Sequence, residues 1–250
     1  IGSYIVKLTI TDRIGIQSSK EITISIQSAE DTLSSLLNDT IDQAKIAEVK
    51  YSTSIQIISE TYQLLGYDSL IRKAISNLTA ISSQYNLTLN GNSSNKEQKY
   101  SSLLNQVYEI RKNIPLFIGV NIDKSTNLFP DISDIPDSTV FSIKSNDQDS
   151  FKNQVLAFDQ EKAIINSDVR EVSVTFIDGN KSLTLVKKNI DTTETNFNTI
   201  ENFGTNNIDS IEVLYPTNYK KNQNSNILEF GTSKEFVYTS NNIIGKTVVI

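Results

Sequence analysis

Two spacings of apolar residues organise the chain. In the first stretch Tyr4, Val6, Leu8 and Ile10 alternate with Ile5, Lys7, Thr9 and Thr11. After Asp12-Arg13-Ile14-Gly15, Ile22, Ile24 and Ile26 alternate again. A period of two places one apolar face on each of two strands, and an Asp/Gly segment between them predicts a hairpin. Two strands alone do not hold a fold in water, so the apolar face calls for partner strands.

From about residue 29 the period changes to three and four. Ser28 or Asp31 is the predicted cap of a helix carrying Ile41, Ala44, Tyr51, Ile55, Ile58, Tyr62 and Leu65, with Ala47 and Glu48 blurring the stripe. Gly66 ends it, giving one helix of about nine turns and roughly 50 Å. Asp68 opens a second helix with Ile71, Ala74, Leu78, Ile81 and Tyr85 in line. After the polar loop at 90–95 a third follows, with Tyr100, Leu103, Val107 and Ile110, and Pro115 forbids its continuation. One narrow stripe per helix predicts packing as a helical hairpin or three-helix bundle, with an intermolecular coiled coil as the alternative.

The remainder alternates once more. Residues 116–122 and 140–143 read as extended, and 151–165 as ambiguous with a short helix. The clearest hairpin runs 171–177, Asp178-Gly179-Asn180, then 182–186, because glycine accepts positive φ in a tight turn. Strands at 210–215, 227–230, 235–239 and 246–250 complete a turn-punctuated β pattern. The predicted class is therefore mixed: β-sandwich modules flanking an α-helical hairpin or bundle. Its segments are 1–28, 29–113 and 114–250.

The opening motif resembles a known family. Gly2-x-Tyr4-x-Val6-x-Leu8-Thr9-Ile10-Thr11-Asp12-x-x-Gly15 is similar to the closing strands of a PKD (polycystic kidney disease) domain, an Ig-like β-sandwich of archaeal and bacterial surface proteins. The similarity covers residues 1 to about 27, and the family's earlier Trp and Asp-Phe-Gly-Asp-Gly segment is absent. More loosely, Val174-x-Phe176-x-Asp178-Gly179, Ile211-Glu212-Val213-x-Tyr215-Pro216 and Ile227-x-x-Phe230 resemble β modules of archaeal surface proteins. The resemblance implies a cell-surface or secreted location and a non-catalytic role as spacer or adhesion module.

Composition narrows the chemistry. The 250 residues contain no Cys, His, Met or Trp. That excludes Ser-His-Asp and Cys-His nucleophiles, Cys/His zinc sites and disulfides. The missing Met also suggests a window opening partway through a longer protein, so that any signal peptide or membrane anchor would lie outside it. A net charge of −6 argues against nucleic acid as a partner. The expected partners are proteins or surfaces, with self-association into a layer or filament as one alternative and an accessory domain of a secreted hydrolase as another. The 34 Ile and 26 Asn point to an AT-rich coding sequence. With so much Asn, Ser and Thr, the five Asn-x-Ser/Thr triplets are about what chance supplies.

Candidate site residues are carboxylates. Asp123, Asp131, Asp134, Asp137, Asp147 and Asp149 crowd one loop-rich region, and oxygen-rich clusters suit calcium. No EF-hand spacing accompanies them, so a solvated loop with Asp at turns and caps is the competing explanation. Catalytic residues are expected to be none. Glu171, Glu194, Glu201, Asp209 and Glu212 offer carboxylates for acid–base work, but no spacing distinguishes them. No nucleotide loop or other cofactor motif occurs.

Overall fold

The computed structural model describes residues 2–91, 95–122, 130–141 and 143–250, and the protein is mixed helix and sheet. Two compact units emerge. The first comprises Ile1–Thr53, Asp68–Leu116 and Phe176–Asp178; the second comprises Ser54–Tyr67, Phe117–Thr175 and Gly179–Ile250.

The first unit begins with β1 (Gly2–Thr11) and β2 (Gln17–Ile26), antiparallel and in continuous register from Gly2↔Ile26 to Thr11↔Gln17. The predicted turn forms as expected. Asp12 Oδ1 accepts from the backbone N–H groups of Ile14 and Ile16, both at 2.9 Å, and Gly15 takes a positive φ of 86°. These two strands form a two-stranded sheet of their own.

Helix α1 (Ala29–Ser52) is capped by Ser28, whose side chain accepts from the Asp31 N–H at 3.0 Å. Its buried line is Leu33, Leu37, Thr40, Ala44 and Ala47. That four-three spacing is a heptad seam. Ala47, which seemed to blur the stripe, lies on it.

The single nine-turn helix is corrected: α1 stops at Ser52 and α2 (Gln56–Leu64) begins anew. The cause lies in Ser52-Thr53-Ser54. Ser52 Oγ and Thr53 Oγ1 both donate to the Val49 carbonyl, at 3.0 and 2.8 Å. Short hydroxyl side chains compete with the helical ladder for such carbonyls and favour helix ends. The 50 Å reach expected of one rod is thereby lost. Gly66, with φ 70°, closes α2 as expected.

Helices α3 (Tyr67–Asn90) and α4 (Lys96–Lys112) present the predicted stripes, with Ile71, Ala74, Leu78 and Ile81 buried on one and Tyr100, Leu103 and Val107 on the other. Three side-chain contacts tie α1, α3 and α4 together. Arg72 lies over the Tyr51 ring at 5.9 Å, Tyr85 meets Tyr100 at 5.8 Å between centroids, and Arg111 pairs with Asp39.

The second unit holds two sheets. One has the order β3-β4-β5-β10-β7, from β3 (Phe117–Ile122), β4 (Ile164–Phe176), β5 (Gly179–Asp191), β7 (Glu212–Tyr215) and β10 (Glu235–Ser240). The other has the order β11-β6-β9-β8, from β6 (Thr199–Asn202), β8 (Lys220–Asn222), β9 (Ile227–Gly231) and β11 (Lys246–Val249). Both sheets contribute to one core, which includes Val169, Val186, Ile190, Leu228, Phe230, Phe236, Tyr238 and Val249. Phe230 and Phe236 stack there with centroids 4.2 Å apart. A second cluster, including Val155, Ile200, Ile227 and Val248, joins the four-stranded sheet to α5 (Gln148–Lys162).

Two local expectations change. Residues 138–141 form a short 3-10 helix instead of an extended run. Its start is fixed by the Gln148 side chain, which accepts from Ser138 N–H at 2.9 Å and donates to Ser138 Oγ at 3.0 Å. The ambiguous stretch at 151–165 resolves into most of α5, a full fifteen-residue helix, followed by the start of β4. Strands β6 and β8 were not anticipated. They are four and three residues long, too short for alternation to register.

Candidate functional site

Three arrangements stand out: an exposed apolar face on the β1–β2 hairpin, a buried ionic network between the two sheets, and a set of Asp residues at helix caps and ion pairs.

The hairpin register pairs Tyr4 with Ile24 and Val6 with Ile22, and places Leu8 and Ile10 on the same face. These side chains remain 47–64% exposed. The opposite face carries Lys7 and Glu21, which form a surface ion pair at 3.6 Å. The sequence thus built a one-sided sheet, and its apolar side is open. Contiguous exposed apolar surface of this kind marks an interaction site.

The second arrangement was not foreseen. Lys188 on β5, Glu201 on β6, Tyr238 on β10 and Thr247 on β11 are all fully buried. Lys188 Nζ donates to Glu201 Oε1 at 2.7 Å, to Thr247 Oγ1 at 2.8 Å and to the Gly245 carbonyl at 2.9 Å. An ammonium has three protons, and all three are placed. Tyr238 OH donates to Glu201 Oε1 at 2.8 Å and accepts from the Gly245 N–H at 3.1 Å. Thr247 Oγ1 donates to Glu201 Oε2 at 2.7 Å. Burial pulls the Lys188 ammonium below its ordinary value, and Glu201 opposes that pull. Burial and the Glu201 charge push the Tyr238 phenol well up. Gly245 is required here, because a Cβ would sit 2.5 Å from Glu201 Cγ.

Such a network spends its polar groups on one another. Every hydrogen-bonding demand of the ion pair is met inside the fold, and each strand that contributes is fixed in register. Its signal in the sequence was phase: Lys188 lies in step with Val186 and Ile190, whereas Lys187 lies on the other side of the strand. Of the five carboxylates considered for acid–base work, Glu201 is the one drawn into this network. Glu171, Asp209 and Glu212 are exposed, and Glu194 is half-buried.

A second buried cation, Arg170 on β4, joins that strand to α2. It donates to Asp168 and Glu60, to Thr61 Oγ1 at 2.9 Å and to the Ile57 carbonyl at 3.2 Å. A hydrogen bond from Gln56 and then one from Arg170 hold the Glu60 carboxyl below its usual value.

The calcium candidates take up local duties. Asp131 caps the 3-10 turn Ile132–Asp134, accepting from Ser133, and those hydrogen bonds lower its pKa. Asp134 accepts from the Asp131 N–H and pairs with Lys246, each at 2.8 Å. Asp137 pairs with Lys152 at 2.8 Å. Asp147 caps α5 through the Ser150 N–H at 2.9 Å, and Asp149 lies exposed in the first turn of that helix. Asp123 falls outside the described residues. Among the described residues no three acidic side chains converge as a metal-binding group. The Asp residues near Lys246 and Lys152 already have cations beside them, which weakens the case for calcium there.

Among the described residues no helix is long and apolar enough to cross a membrane. Comparison with protein families, with curated proteins and with solved structures finds no match.

Proposed function

We propose that this chain is a non-catalytic structural module of a larger cell-surface or secreted protein, serving as a spacer or adhesion element. The observation that carries the reading is the apolar face of β1 and β2. Six aligned positions present Tyr4, Val6, Leu8, Ile10, Ile22 and Ile24 to solvent, while the opposite face is polar apart from Ile5. Such a face suits an Ig-like sandwich of the PKD kind, completed by strands from elsewhere in the longer protein. The buried Lys188–Glu201 network is consistent with a structural role, since its polar groups are engaged with one another and hold strands of both sheets in register.

Light scattering with and without calcium tests the reading. A species whose mass is indifferent to calcium supports the spacer. Calcium-dependent assembly overturns it in favour of a self-assembling layer. A hydrolase activity lost on substitution of a single Asp or Glu overturns the non-catalytic reading altogether.

A further inference from the structure

Helix α5 packs on the four-stranded sheet through the apolar cluster of Val155 and Val248, and one carboxyl group adds a polar contact to strand β11. Asp159 is 6% exposed, and its Oδ1 accepts from the backbone N–H of Val249 at 2.8 Å. Strand β11 stands at the margin of the four-stranded sheet, with β6 on its other side. Asp159 thus occupies the place that a further strand's carbonyl would take. Its second oxygen, Oδ2, is buried and has no hydrogen-bond partner among the described residues. Asp159 itself lines a cavity of about 300 Å³, with Pro130, Leu156, Gln160, Ala163 and Ile165.

The charged groups on the elements packed against α5 are engaged elsewhere. On β11, Lys246 pairs with Asp134 and lies 3.8 Å from Asp131. Beside the second 3-10 turn, Asp137 pairs with Lys152 of α5. None of these compensates Asp159. A carboxylate buried with a single hydrogen bond is strongly disfavoured against the neutral acid.

We propose that the Asp159–Val249 contact is a proton-controlled latch, which holds α5 on the margin of β11 while the carboxyl is neutral and loosens as ionisation is favoured. Burial raises the Asp159 carboxyl to about 7, and the Val249 hydrogen bond opposes that rise without cancelling it. In the undocked state the carboxyl is solvated and ionises near its ordinary value of about 4. Between about pH 4 and pH 7, undocking therefore releases one proton. Linkage then favours undocking about tenfold for each unit of rising pH, and the effect levels off above 7 where both states are ionised. The device is independent of the hairpin on which the proposed spacer role rests.

Hydrogen exchange by NMR on the whole 250-residue chain tests this. In the unmodified protein the protection of the Val249 amide, corrected for intrinsic exchange, is expected to fall about fiftyfold from pH 5 to pH 7, and by only about twofold more above it. In Asp159→Asn, which keeps an acceptor for Val249 but cannot ionise, the profile is expected to be flat. Parallel profiles in the two proteins overturn the latch. A direct carbon-13 titration of the Asp159 carboxyl needs no variant: a midpoint near 7 supports the latch, and a midpoint near 4 overturns it.

Discussion

The hairpin β1–β2 and the hairpin β4–β5 carry the same message in sequence and meet opposite fates. Both alternate apolar and polar residues, and both turn at an Asp/Gly segment. In β5, Leu183, Leu185, Val186 and Ile190 are buried, because the strand has β4 on one side, β10 on the other and a second sheet sharing its core. In β1, Tyr4, Val6, Leu8 and Ile10 remain about half exposed or more. Alternation therefore specifies which residues share a face. What covers that face is decided by strands distant in sequence, and the first hairpin lacks them among the described residues. The difference separates a β unit whose apolar faces are covered from a two-stranded sheet whose apolar face is open.

The largest expected effects lie where the β unit is closed. Lys188→Met leaves Glu201 buried with its charge uncompensated, and removal of one member of such a pair costs about 3–5 kcal/mol. Urea unfolding followed by a β-unit probe should show this, and the double variant Lys188→Met, Glu201→Leu should recover most of the loss. A double variant no better than the single one would mean that the network does more than satisfy itself.

Asp159 comes next, and its sign is opposite to that of an ordinary paired carboxylate. Its folded-state pKa of about 7 exceeds the unfolded value, so its favourable contribution is full below about pH 4 and is lost as pH rises to 7. Relative to Asp159→Asn, the unmodified protein should lose on the order of 4 kcal/mol across that interval. Paired titration of stability in the two proteins reads this difference directly. Glu60 and Asp131, whose pKa values are lowered, act in the other direction and cancel in the comparison.

Smaller effects belong to the open hairpin. Val6→Ser removes an apolar side chain that is already 49% exposed, and the cost to the isolated chain should be within about 0.5 kcal/mol. The same substitution in a longer protein that supplies the covering strands should cost about 1–3 kcal/mol, the usual penalty for altering a filled core. Glu21→Gln, at the bottom of the scale, breaks a solvent-exposed ion pair and should leave the unfolding midpoint unchanged.

Periodicity read most of the secondary structure because most elements are long enough to repeat it. The stripes of α3 and α4 and the strands β1, β2, β9, β10 and β11 lie where the spacing put them. The break between α1 and α2 was missed because the apolar stripe runs straight through it. Only the hydroxyls of Ser52 and Thr53, competing for one carbonyl, reveal the end. The site was less legible. Six Asp in one region drew attention by density, whereas density says nothing about where each carboxylate points; most became caps or lysine partners. The Lys188 network was written in strand phase, but four residues on four strands converge only once the order of both sheets is known. Asp159 gave no signal at all, since its burial depends on β11, ninety residues away along the chain.

Amide exchange across the two hairpins in the same sample tests the central contrast most directly. The account predicts that the amides of β1 and β2 exchange with little protection, while those of β5 approach the protection set by global unfolding of the β unit. Equal, strong protection of β1 and β2 in the monomeric chain would show that their apolar face is already covered, and would contradict the account.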